Sequence, residues 1–449
     1  MTPTTTTISN LPAELVEEII SRIPLTSMRA VRLTCRKWDT LSKSGSFTKL
    51  HMGKITAAAA AAREKGESPP VILLTDQQLY LMSVTPTSEI DADPSTEPKG
   101  EHFTCCLKDD SDQQVKIHQI YYCEGLLLCI LKDDDRIVVW NPYWGQTRWI
   151  KLRFYFRRPM DRLDWCRYAL GYSETERKKK SYKILRFLDF DIQQWACGNG
   201  DRTGGEIFWY EIYDLDSGEW KTIDVGTPHW RLSFESLGVS LKGNTYWRAS
   251  LRRNTWNDGL AHHLICFDYT RNRFGPLLPL PFEPLECEIV TLSCVGEEKL
   301  AVLYQKDDPP STTEVWITQT IEAEKVSWIK LLTLDAVPFE FSFSFGSFLV
   351  DEEKKAALVF DVHRHAKRCI VYGIGEAGYF RKLHLHEYTK TVLEFDFRAC
   401  SYVPSLAQIK QPRGGQREQE STSETVLATQ KTLSLDAFVE RLKAQRLKI

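Results

Sequence analysis

From Val71 onward one pattern recurs, and it restricts the architectures open to this chain. An apolar strand leads through a turn to a second strand that ends in an aromatic. A polar turn follows, and then another aromatic with an apolar residue two positions on. Tyr122–Cys129 leads to Val138-Val139-Trp140-Asn141-Pro142 and then to Trp149–Leu152. Ile212–Leu215 turns at Asp216-Ser217-Gly218 into Trp220–Ile223. Gly243–Trp247 leads to Leu264–Asp268 and Phe274, Leu300–Tyr304 to Val315–Ile317 and Trp328–Leu331, and Ala357–Phe360 to Ile370–Tyr372 and Phe380. Equivalent aromatics stand roughly 50 to 75 residues apart, which suits one four-stranded unit each. Such a unit cannot bury both faces alone, so the set closes into a ring or stacks in a row. Five or six units fit, and Val392–Tyr402 is the candidate strand that closes the ring. A two-sheet sandwich with long hairpins is the competing architecture.

The first fifty residues follow different rules. Ser9 or Asn10 can cap a helix, and Pro12 suits its first turn. Leu11, Leu15, Ile19 and Ile23 then recur every four residues, with Val16 and Ile20 widening the apolar stripe. Glu14, Glu17 and Glu18 favour the positive end of the helix dipole. Pro24 stops the helix. Thr26 or Ser27 can cap a second, with Met28, Val31 and, as a further candidate, Leu33 inward. Cys35, Trp38 and Leu41 fit one face of a third helix, and Phe47 and Leu50 follow as packing residues. So small a unit carries more apolar side chains than it can bury by itself, which marks it as half of an interface.

These residues resemble the F-box, the motif that docks on the Skp adaptor of Skp–cullin–F-box ubiquitin ligases. The resemblance covers about residues 8 to 50 in order: Leu-Pro, a Leu-x-x-x-Ile-Ile helix, an Arg-Ile-Pro stop, Ser-Met-Arg-Ala-Val-Arg and Cys-Arg-Lys-Trp. It departs at Met28, where leucine is commoner, and at Leu33, where a smaller or β-branched residue is frequent. It implies that Leu11, Pro12, Leu15, Ile19, Ile20, Ile23, Pro24, Val31, Cys35 and Trp38 form the adaptor-binding surface or hold it in shape. Residues 115 to 340 resemble the type-1 F-box-associated interaction domain of plant F-box proteins, through Cys-Glu-Gly-Leu-Leu-Leu-Cys, Val-Trp-Asn-Pro, Ala169-Leu170-Gly171-Tyr172, Tyr182–Phe187 and Glu211-Ile212-Tyr213. Kelch-type F-box proteins are similar in plan, but Gly204-Gly205 is the one paired glycine in the body.

The expected organisation is α+β overall, a small all-α three-helix unit followed by a mainly β, propeller-like repeat domain. Residues 1–7 form a disordered start, 8–50 the helical unit, 51–70 a helical linker built on Ala57–Ala62, 71–403 the β repeat, and 404–449 a disordered tail. Thr85–Gly100 reads as a long loop, and Leu433–Leu447 as a short amphipathic helix in the tail.

Composition and motifs exclude several functions. A net charge of −2 provides no field for nucleic acid or anionic membrane, and Arg177–Lys180 reads as a solvated hairpin loop. No apolar run reaches the ~18 residues of a membrane span, and the N-terminus lacks the marks of a signal peptide. Twelve scattered cysteines without a C-x-x-C suggest reduced thiols, hence cytoplasm or nucleus. No nucleophile elbow, phosphate loop, dinucleotide fingerprint or zinc-protease motif is present, so no catalytic residue, metal or cofactor is assigned. The pairs His363/His365 and His384/His386 have the spacing of metal ligands on a strand but read better as edge or loop histidines. Asp133–Asp135 reads as an acidic turn. Two insertions carry Arg158 and Trp165, and Arg252, Arg253 and Trp256, residue types enriched in binding hot spots. The resemblance implies a substrate receptor: the N-terminal unit is expected to dock on a Skp-type adaptor, and through it a cullin, while the β domain holds an unknown protein target. A β domain that binds a glycan or small molecule is the alternative, and a propeller-fold enzyme the third.

Overall fold

The structure is a computed structural model. It describes residues 11–23, 27–64, 70–75, 77–82, 100–102, 107, 115–132, 134–153, 166–176, 178–191, 206–226, 228–232, 237–252, 262–284, 288–306, 312–335, 347–363, 368–376, 380–387 and 398–410.

A strand with six apolar residues in a row needs cover on both faces. Leu126–Leu131 is such a strand, and every position is buried. Its side chains alternate between two different cores. Leu126, Leu128 and Ile130 pack with Tyr168, Leu170 and Ile184, while Leu127, Cys129 and Leu131 pack with Ile72, Leu74 and Leu79. Each sheet is thus a filling between two neighbours, and the apolar cores lie between sheets.

Six antiparallel sheets repeat this arrangement. Blade one holds β1 (Val71–Thr75), β2 (Gln78–Met82) and β3 (Gly100–His102). Blade two holds β4 (Ile117–Cys123), β5 (Leu126–Leu131), β6 (Arg136–Asn141) and β7 (Gln146–Lys151). Blade three holds β8 (Arg167–Glu174), β9 (Lys180–Asp191), β10 (Glu206–Asp214) and β11 (Glu219–Thr222). In blade four, β12 (Trp230–Leu232) and β13 (Val239–Leu241) share the inner edge of β14 (Asn244–Leu251), followed by β15 (His262–Asp268) and β16 (Arg273–Pro279). Blade five holds β17 (Ile289–Val295), β18 (Lys299–Gln305), β19 (Thr312–Ile321) and β20 (Val326–Asp335). Blade six holds β21 (Ser347–Asp351), β22 (Ala356–His363), β23 (Arg368–Gly375) and β24 (Phe380–Glu387).

The last strand, β25 (Arg398–Ser401), returns to pair with β1, with Val71 opposite Ser401 and Leu74 opposite Arg398. It supplies the inner edge of blade one, and Val71, Leu73, Phe360 and Ala399 then fill the gap between blades six and one. The result is a six-bladed β-propeller closed by its C-terminal strand. The expected ring and its closing strand are both present, and the sandwich is not. The repeat pattern missed blade one, because β1–β3 carry no tryptophan and no outer aromatic of the kind used to align the others.

Four helices precede the ring: α1 (Ala13–Ile20), α2 (Met28–Thr34), α3 (Arg36–Ser42) and α4 (Gly45–Glu64). Helix α4 is one continuous rod. The alanine segment expected to begin a separate linker is its second half, and Phe47 in its first half belongs to the helical core.

Residues 404–410 depart from the expected disordered tail and continue from Tyr402 without a break. They run as an extended strap over blades two and three, with Tyr402 and Ile409 buried. Asn141 Nδ2 donates to Ser405 O (3.1 Å) and Ala407 O (2.6 Å), Trp144 Nε1 donates to Leu406 O (3.1 Å), and Arg148 donates to Lys410 O (2.8 Å). At Gly125 the backbone φ is +77°, and a Cβ would lie 2.3 Å from Ser405 Cβ and 2.7 Å from its nitrogen. Gly125→Ala therefore strains the turn and pushes the strap away. Thermal unfolding should show it destabilised by about 1–3 kcal/mol, the range for a side chain forced into the left-handed region. Residues 411–449, with Leu433–Leu447, lie outside the described residues, as do residues 85–99 of the expected loop.

Candidate functional site

The helical unit divides its apolar residues in two. Val16, Ile20, Met28, Val31 and Phe47 form its core, with Leu11, Ile23, Trp38 and Leu41 packed partly buried against them. Leu15 and Ile19, one step earlier along the same helix, stay 51% and 43% exposed. The four-residue spacing puts Val16 and Ile20 on one face of α1 and Leu15 and Ile19 on another. Leu33 on α2 is 75% exposed, which corrects its inward placement: its neighbours Val31 and Arg32 take the buried side. Cys35 caps α3 from an extended conformation and is exposed, rather than sitting within that helix's packed face. Pro12 is exposed and its carbonyl accepts the Leu15 and Val16 N–H groups. Pro24 lies outside the described residues. Seven large apolar side chains are exposed among the described residues, and four of them, Leu15, Ile19, Leu33 and Leu50, fall in the first fifty positions. Apolar exposure is thus concentrated in the helical unit, as expected of a surface awaiting a partner.

Beneath that unit is a second set of contacts that sequence reading missed. Arg32 is buried, donates from Nη1 to Tyr143 O (2.5 Å) and from Nε to Ser42 Oγ (3.1 Å), and stacks 5.0 Å from the Trp144 ring. His51 of α4 touches Tyr143 Oη at 3.2 Å through Nδ1 and Ile23 O at 3.1 Å through Nε2. A carbonyl only accepts, so Nε2 carries the proton, Nδ1 accepts from the tyrosine hydroxyl, and the ring is neutral. Tyr143 and Trp144 sit on the β6–β7 turn of blade two, where Asn141 Oδ1 accepts both of their N–H groups (2.9 and 3.3 Å). The Val-Trp-Asn-Pro and Val-Arg motifs are each legible as family marks, but not that Arg32 reaches the Tyr143-Trp144 pair just beyond the first of them.

Burial first, then the charges of Arg32 and Lys54, holds the His51 pKa below its ordinary value. The unfolded chain therefore binds this proton more readily, so stability rises with pH and is lost as pH falls below about 6.5. Protonation would also remove the acceptor for the Tyr143 hydroxyl. Thermal unfolding between pH 7.5 and 5.5 should show an acid-side loss that His51→Gln reduces. An unchanged slope would contradict this role.

Of the loop residues expected to meet a target, Arg158, Trp165, Arg253 and Trp256 lie outside the described residues. Arg252 is described and its side chain is engaged within the fold. It pairs with Asp189 of β9, donates from Nε to Trp230 O (2.9 Å) and packs 4.1 Å from the Phe208 ring. It staples blade three to blade four. Of the basic run, Lys178 and Lys179 lie between β8 and β9, and Lys180, the first residue of β9, pairs with Glu124. Asp134 closes its own turn on Arg136 (2.9 Å). Among the described residues no group of three His, Cys, Asp or Glu side chains could hold a metal ion. The side chains of His363, His365, His384 and His386 lie outside the description.

An apolar-faced helical unit fixed to a closed propeller defines a class of two-part proteins, one part presenting a docking face and the other a ring of loops. The family models match both parts: the F-box domain over residues 8–50 and the F-box associated beta propeller domain over residues 70–409. The chain belongs to the F-box proteins that carry this propeller domain. Its relatives in Arabidopsis thaliana include a putative F-box protein at 48% identity, covering 94% of this chain and 92% of the relative. An F-box protein matches at 46% identity (97% and 98% covered) and an F-box/kelch-repeat protein at 48% (98% and 98% covered). The F-box-associated and kelch resemblances in the sequence thus fall on one group of plant proteins.

Proposed function

We propose that this chain is the substrate receptor of a Skp–cullin–F-box ubiquitin ligase. Leu15, Ile19 and Leu33 dock on the Skp-type adaptor, Val16, Ile20, Val31 and Trp38 hold that face in shape, and the propeller loops hold a target protein. The observation that carries this reading is the exposure of Leu15 and Ile19 on a helix whose other face is fully packed. The chain makes and breaks no bond in this scheme. It brings a target lysine near a charged ubiquitin carrier and so raises the effective concentration of the reactants. The Arg32–Trp144 and His51–Tyr143 contacts support it, because proximity is useful only when docking face and target face keep a fixed relation.

The test is affinity capture with the full chain and with Ile19→Asp from cells whose proteasome is inhibited. Wild type should recover adaptor, cullin and a set of target proteins. The variant should lose adaptor and cullin and keep the targets. Equal recovery of adaptor by both would overturn the assignment.

A further inference from the structure

A cavity of about 90 Å³ lies on the axis of the ring, lined by the inner strands of five blades through Tyr121, Ser240, Ser293, Ser347, Arg398 and Ser401 among others. In this measure one water needs about 10–15 Å³, so the space suits several waters or one small polyatomic ion, and no folded segment. Arg398 is the notable group. It opens β25, the strand that closes the ring.

Its electrostatic neighbours are the phenol of Tyr121 and the thiol of Cys400, and among the described residues no carboxylate pairs with it. Burial pushes the Cys400 thiol up to about 12, so that neighbour is neutral. The desolvated guanidinium is pulled down to about 10, and still carries its charge at neutral pH. Other arginines here are engaged within the fold: Arg186 pairs with Glu211 at 3.0 Å and Arg252 with Asp189, while Arg32 and Arg148 donate to backbone carbonyls. A partly buried cation that faces a cavity and has no carboxylate partner among the described residues is placed to take its counter-charge from a bound anion. Glu297 also lines the cavity, but it lies in the field of Glu124, and burial followed by that repulsion raises its pKa. It does not figure among the neighbours of Arg398. Beside Arg398, the Ser347 hydroxyl accepts the Ala399 N–H (3.2 Å) and keeps its own proton to donate.

We infer that the axial cavity is a binding site for a small oxyanion, a phosphate or a small carboxylate, held by the Arg398 guanidinium with the Ser347 hydroxyl as a second donor. A planar guanidinium matches either anion in a two-point contact. A bound anion would touch the strand that closes the ring, and so would brace the closure. This site is independent of the identity of any protein target.

The full-length chain is titrated with sodium phosphate and, separately, with sodium malonate, chloride holding ionic strength constant, and binding is read by calorimetry and by melting temperature. Wild type should give saturable one-to-one binding of at least one anion and a rise in melting temperature. Phosphate alone responding assigns the phosphate class, and malonate alone the carboxylate class. Arg398→Gln should weaken the binding at least tenfold without lowering the melting temperature of the anion-free protein. Arg271→Gln, which alters a surface arginine paired with Glu324, should bind as wild type does. No saturable response to either anion in wild type, or an equal response in Arg398→Gln, would overturn the site. Should Arg398→Gln fail to fold, wild-type crystals grown with selenate decide: selenium beside Arg398 supports the site, and selenium only elsewhere refutes it.

Discussion

Ile19→Asp should lower affinity for a Skp-type adaptor by about 100-fold or more and leave the fold intact. Burying an isoleucine contributes about 1.5–3 kcal/mol, and an unpaired carboxylate in an apolar contact adds several more against binding. Each 1.4 kcal/mol is tenfold in affinity. Because Ile19 is 43% exposed, the aspartate remains solvated in the free chain and the helical unit loses little. The neighbouring Ile20→Asp should behave differently. Ile20 packs with Val16, Met28, Val31 and Phe47, so its replacement should cost about 4 kcal/mol or more and unfold the helices. Leu33→Asp should follow Ile19→Asp, although α2 rather than α1 carries it. Calorimetric titration of purified adaptor, paired with far-ultraviolet circular dichroism, separates the two outcomes. A single phenotype for Ile19→Asp and Ile20→Asp would mean that the division into packed and presented faces is wrong.

Asn141→Ala should be the most damaging single change in the propeller outside its apolar cores. This fully buried side chain makes four hydrogen bonds: two from Nδ2 to the strap carbonyls of Ser405 and Ala407, and two at Oδ1 from the Tyr143 and Trp144 N–H groups. Each contributes about 0.5–1.5 kcal/mol net, and buried partners left unmade cost more. A loss of about 3–5 kcal/mol is expected, with a melting temperature lower by several degrees. Asn141→Asp should do no better, since a carboxylate offers no donor to two carbonyls. The effect reaches beyond stability. Tyr143 and Trp144 carry the Arg32 and His51 contacts, so the same change should loosen the helical unit from the ring. Limited proteolysis between residues 64 and 71 should quicken in Asn141→Ala and not in Arg271→Gln. Equal melting temperatures for Asn141→Ala and wild type would remove the strap and the junction from this account.

Much of this architecture is written in local patterns. Continuous apolar strands such as Leu126–Leu131 and the recurring aromatics after each turn require sheets covered on both faces, and a closed ring follows from that need. Four-residue spacing in Leu15, Ile19, Val16 and Ile20 shows a broad apolar stripe, but not which half of it faces inward. That depends on where α2 and α4 pack, which is tertiary information. Leu33 was misplaced for the same reason. Blade one was hidden because it is assembled from the two ends of the β domain, β1 and β25, whose pairing spans more than three hundred residues of sequence. The strap was misread because Ser405, Leu406 and Ala407 hold on through backbone carbonyls, which every residue type possesses. Arg32 and Arg252 were legible as arginines but not as clamps, since Trp144 and Phe208 are distant in sequence from their guanidinium partners.

The central claim is that α1 and α2 present the docking face while the propeller stays free for a target. Amide hydrogen exchange of the full chain, alone and saturated with a purified Skp-type adaptor, tests it most directly. The account predicts new protection confined to residues 13–34 and the neighbouring helices, with exchange in the blade strands unchanged. Protection appearing across the blades while α1 exchanges as before would contradict it.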